Sequence, residues 1–69
     1  MNKKLIRDII TMIDTGACVE SIIKDLPQYS VVEILSCIKE MLELKVFEDR
    51  GGAYIVCMHK HPLVKEIYE

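Results

Sequence analysis

No long apolar run is present in this chain; its longest stretches stop at a handful of residues. A helix that crosses a bilayer needs roughly 20 in succession, so the sequence predicts no such span. Nor is there an excess of positive charge. Nine Lys and Arg stand against eleven Asp and Glu, giving a net charge of -2. That balance lends no support to strong non-specific binding of nucleic acid, which runs on basic surface. Paired cysteine motifs are missing as well. The three cysteines, Cys18, Cys37 and Cys57, are odd in number, widely spaced and never in a CxxC pattern. They read as small packing residues and not as a disulfide framework. A secretory leader is not expected, because the run behind Lys3 and Lys4 is broken by Arg7, Asp8 and Asp14. Repeats, linkers and low-complexity tracts are lacking. The chain therefore reads as a soluble cytoplasmic protein with one domain over residues 1–69.

What is present is enough apolar material for a core. Hydrophobic residues make up 51% of 69 positions, too many for a disordered tail. Leu5, Ile6, Ile9, Ile10 and Ile13 recur at helical spacing, with Gly16 following where a helix end favours it. This predicts a first helix over 2–14. Cys18, Val19, Ile22, Ile23 and Leu26 predict a short second helix, stopped by Pro27. After the turn Pro27-Gln28-Tyr29, Ser30 and Glu33 stand three apart and form a capping box for a long third helix over 30–44. Val31, Ile34, Leu35, Ile38, Met41 and Leu42 are expected on its inward face.

Beyond Leu44 the period changes. Val46-Phe47-Glu48 and Ala53 to Met58 read as strands joined by a turn, Asp49-Arg50-Gly51-Gly52. Pro62 opens a possible short C-terminal helix with Leu63, Val64, Ile67 and Tyr68 as its stripe. The fold class that follows is α+β: three helices, a two-stranded β-hairpin and a possible fourth helix. The core covers 3–58, with a C-terminal segment over 59–69.

The stretch Met41 to Val56, MLELKVFEDRGGAYIV, carries a leucine-rich helix end, a strand, a glycine-tipped turn and a tyrosine-containing return strand. Together with the helices before it, it resembles the winged helix-turn-helix superfamily over residues 3–58. Lys45 is a departure, since many relatives place glycine there. The resemblance implies a homodimeric transcriptional regulator that binds duplex DNA, with the third helix in the major groove and the hairpin wing on the flanking backbone. Carried onto this chain, Gln28, Tyr29, Ser30, Val32, Glu33 and Ser36 would face the groove. Lys45 and Arg50 would meet phosphate, and Lys3, Lys4 and Arg7 would lie near the backbone.

One pattern opposes that reading. The third helix carries Glu33, Glu40 and Glu43 against Lys39 alone, and carboxylates are repelled by a polyphosphate. The alternative is a winged-helix module that binds a protein through this acidic face. The C-terminal stripe allows either a homodimer interface, which is favoured, or a fold-back onto its own domain. Cys57, His59 and His61 alternate and would share one face of an extended strand, the right ligand types for zinc. The reading preferred for them is an inward cysteine and two solvated histidines, with no metal. No cofactor is expected. Catalysis finds no footing, since nucleophile elbow, phosphate loop and HExxH are all missing.

Overall fold

The computed structural model describes residues 2–69. The element order is α1 (Lys3–Asp14), α2 (Val19–Asp25), α3 (Val31–Glu43), β1 (Phe47–Gly51), β2 (Tyr54–Cys57) and α4 (Pro62–Tyr68). It is an α+β arrangement of four helices and a two-stranded antiparallel hairpin. The C-terminal helix suggested by Pro62 is present.

α1 begins where Asn2 Oδ1 accepts from the Leu5 amide at 3.1 Å, and all five apolar residues of its stripe are buried. It ends through Thr15 into Gly16, whose φ of 88° lies in the left-handed region that glycine tolerates. The rest of the core is supplied by Ile22 and Leu26 near α2, Ile34, Ile38 and Met41 of α3, Val46, Phe47 and Ile55 of the hairpin region, and Val64 and Ile67 of α4. α4 starts at Pro62, which fits the first helical turn, with His61 Nδ1 accepting from the Leu63 amide at 3.1 Å. Its tail is tied to α1 by Arg7 Nη1, which donates to the Ile67 carbonyl at 3.0 Å. The C-terminal stripe thus folds back on its own domain. Cys18, Cys37 and Cys57 are each only half-buried, less enclosed than packing residues were expected to be.

Two sequence expectations need correction. On α3 the inward set is narrower than the apolar pattern: Ile34, Ile38 and Met41 are buried, Leu42 is half-buried, and Val31 and Leu35 stay exposed at 50% and 44%. A single layer of neighbours covers a narrow arc of the helix, and both exposed residues lie beyond its edge. In the hairpin, β1 runs on to Gly51, and the register slips between Asp49 and Gly51. Arg50 therefore sits at a bulge on the strand, Gly51 still pairs with Tyr54, and the tight turn falls on Gly52 and Ala53, with positive φ at all three of Gly51, Gly52 and Ala53. A bulge adds one residue to one strand, which shifts the turn along the chain.

The pairing of Cys18 with Tyr54, supported by the Val19 amide donating to the Ala53 carbonyl at 3.0 Å, adds the segment before α2 to the hairpin edge. Lys45 has φ 65°, a left-handed conformation that costs a side chain with a Cβ about 1 kcal/mol. Its amide donates to the Leu42 carbonyl at 3.2 Å and closes α3 before Val46 enters the core. Lys45→Gly is therefore expected to raise unfolding stability by about 0.5–1 kcal/mol. Urea denaturation checks this, and an unchanged or lower midpoint would contradict the backbone strain assigned here.

Candidate nucleic-acid interface

At roughly 100° per residue, α3 divides into four sectors. Ile34, Ile38 and Met41 face the core. Val31, Leu35 and Leu42 form an apolar flank. Val32, Ser36, Lys39 and Glu43 point away from the core, and Val32 is 73% exposed. Glu33, Cys37 and Glu40 form the remaining flank and line a cleft beside the start of α1.

This arrangement revises the charge argument. Glu33 lies well to one side of the outermost line, and Glu40 lies about as far to that side as Lys39 lies to the other. Glu43 lies on that line but at the far end of α3, about 16 Å along the axis from Val32. Over the first part of α3 the outermost surface presents Val32 and Ser36 with Lys39 beside them, and Gln28 and Ser30 in the turn before it are exposed. These are hydrogen-bonding groups, one methyl-bearing side chain and one cation.

The start of α3 is firmly set. Glu33 N–H donates to Ser30 Oγ at 3.1 Å, and Ser30 N–H donates to Glu33 Oε1 at 3.0 Å. The capping box of the sequence reading is formed, a feature worth about 1 kcal/mol. The Ser30 amide, then the Ser30 hydroxyl, lowers the pKa of Glu33. A lowered carboxylate pKa means that the stabilisation is present above the ordinary glutamate range and lost as pH falls through the lowered value.

Tyr29 is half-buried, and its hydroxyl donates to Asp8 Oδ2 at 2.7 Å. That bond to Asp8, with some burial, raises the phenol pKa. The same carboxylate oxygen accepts from Lys4 Nζ at 3.4 Å. The Tyr29 bond thus fastens the turn before α3 to α1, and Tyr29 acts as a positioning residue. Arg50 Nε stands 3.2 Å from Glu48 Oε1. Both this pair and Lys4–Asp8 have exposed cations, and such surface pairs contribute at most about 1 kcal/mol, so a phosphate can compete for either cation. Lys3 and Lys45 are exposed. Arg7 is turned to the α4 carbonyl and not to the surface line.

Cys57, His59 and His61 do not share a face, because the strand ends at Cys57. His59 Nε2 lies 2.9 Å from Asp14 Oδ1, while His61 caps α4. The His59 contact to α1 joins positions 45 residues apart and so was invisible in the sequence; the His61 cap is local but uses a residue outside the usual capping set. Among the described residues no three His, Cys, Asp or Glu side chains converge as a metal site would require. Burial, then Asp14, pushes the Cys57 thiol up to about 11. Among the same residues no helix is long and apolar enough to cross a membrane. No protein family, curated protein or solved structure matches the chain.

Proposed function

We propose that the protein is a winged-helix transcriptional regulator that binds duplex DNA through the outer line of α3, with the hairpin as its wing. The observation that carries this reading is that Val32 and Ser36 stand outermost on α3, with Glu33 well to one side and Gln28 exposed in the turn before the helix. Amide and hydroxyl groups read base edges in the major groove, and the Val32 methyls suit a thymine methyl. Lys39, Lys45, Arg50 and Lys3 are the cations for phosphate, with Lys4 released from Asp8 on binding. Tyr29 sets the angle of α3 from behind. Two copies on adjacent half-sites remain the working form of the complex. Their contact would use Tyr54, Met58 or Tyr68, which stay exposed, because Val64 and Ile67 are taken up by the core.

Fluorescence anisotropy with a labelled duplex over a salt series tests the reading. With about three phosphates neutralised per chain, and so about six by the two copies, affinity should fall about 2,000-fold between 50 and 200 mM salt. Arg50→Ala should weaken all duplexes alike and flatten the salt slope by about two units, one for each copy, whereas Gln28→Ala should change the preference among them. Absence of duplex binding at low salt would remove the DNA reading. A second reading would then stand on the apolar flank: Val31 and Leu35 are half-exposed on a rigid helix, the pattern of a surface that docks a protein.

A further inference from the structure

The cleft beside α3 is distinct from the outer line. It has a volume of about 210 Å³ and lies between the first turn of α1 and the flank of α3. Leu5, Ile6 and Met41, all buried, make an apolar floor, and Cys37 is half-buried in its wall. Glu33 and Glu40 stand exposed at the rim, seven residues apart on the same side of α3, which is about 10 Å along the helix. The Cys37 thiol is pushed up to about 11 by burial and by Glu40, so it stays a neutral part of the wall.

Size and charge narrow the occupant. The volume is below the about 300–1,000 Å³ typical of cofactor sites, and it suits one or two side chains. Among the described residues, none that lines the cleft carries a positive charge. Neither Lys3 nor Lys4 of α1 lines the cleft. Glu33 gives Oε1 to its cap and keeps its other oxygen for a ligand. An acidic rim over an apolar floor repels phosphate and carboxylate. It fits a side chain with an apolar stem and a cationic end, the build of arginine and lysine.

We propose that this cleft docks a basic segment of a partner protein, with an arginine or lysine stem laid on Leu5, Ile6 and Met41 and its cation between Glu33 and Glu40. The site lies off the DNA-facing line, so a partner can be held while the duplex is bound. It also stands if the duplex reading fails.

The test uses the full ¹⁵N-labelled chain and an end-blocked hexapeptide, Ala-Arg-Leu-Ala-Arg-Ala, with a control in which both arginines are glutamine. Expected are saturable shifts of the Leu5, Ile6, Cys37 and Met41 amides with a Kd below about 1 mM. Glu40→Gln should weaken the arginine peptide at least about fivefold and leave the melting temperature and duplex affinity unchanged, since Glu40 is exposed and off the outer line. Any of four outcomes overturns the proposal. They are no saturable shifts at several-fold higher peptide, equal binding of the glutamine peptide, equal binding by Glu40→Gln, and shifts that fall on Val31 and Leu35 instead. Occlusion of the cleft by a second copy of the chain would appear as the first of these, with a dimer by sedimentation.

Discussion

A chain cut after His61 is expected to lose about half of its stability or more and to melt far below the parent chain. The cut removes α4, which looks like a short appendix in the sequence. In the structure Val64 and Ile67 are part of the core, and Ile67 is fully enclosed. Each such side chain is worth about 1.5–3 kcal/mol in burial, and its loss also opens α1 residues beneath to water. The Arg7 contact to the Ile67 carbonyl goes with it. The combined loss, about 5 kcal/mol, compares with a total stability of about 3–10 kcal/mol for a domain of 69 residues. Circular dichroism on heating reads the result. Tyr68→Ala is the control: that residue is half-exposed, and the change should cost little. A truncated chain that melts within a few degrees of the parent would show that α4 adds nothing to the core.

Ser36→Glu is expected to lower duplex affinity by at least about 30-fold with no change in melting temperature. Ser36 is exposed near the middle of the outer line of α3. A carboxylate there would face the groove between two phosphate backbones, and like charges set against each other cost several kcal/mol in an interface. Exposed substitutions of this kind alter stability by only about 0.5 kcal/mol. Affinity and folding are thus separated, which a core variant could not do. Glu33 and Glu40 show why position matters more than count: both are carboxylates of the same helix, yet they stand on the flank that lines the cleft. Binding by Ser36→Glu equal to that of the parent would mean that this line does not meet DNA.

The helices were legible in the sequence because their signals are local. The α1 stripe, the Ser30–Glu33 box and Pro62 at the start of α4 each depend on residues a turn apart. The hairpin was legible in outline only. Its bulge moved Arg50 off the tip, and nothing in the order Asp49-Arg50-Gly51-Gly52 tells which glycine takes the turn. The α3 surface was harder. The apolar pattern placed Val31 and Leu35 inside because it reports a stripe, whereas the width actually covered depends on what packs across it. The tie between Tyr29 and Asp8 and the pairing of Cys18 with Tyr54 join distant positions, so no local pattern announces them. The cleft arises in the same way, from two helix faces that the fold brings together.

The most direct measurement is a ¹⁵N chemical-shift map of the chain with a duplex of about 20 base pairs at low salt. The expected footprint covers Gln28, Ser30, Val32, Ser36 and Lys39, extends to Lys45 and Arg50, and spares Val31, Leu35, Cys37 and Glu40. A footprint on the apolar flank, or none while the duplex is in excess, would contradict the assignment of this helix face to DNA.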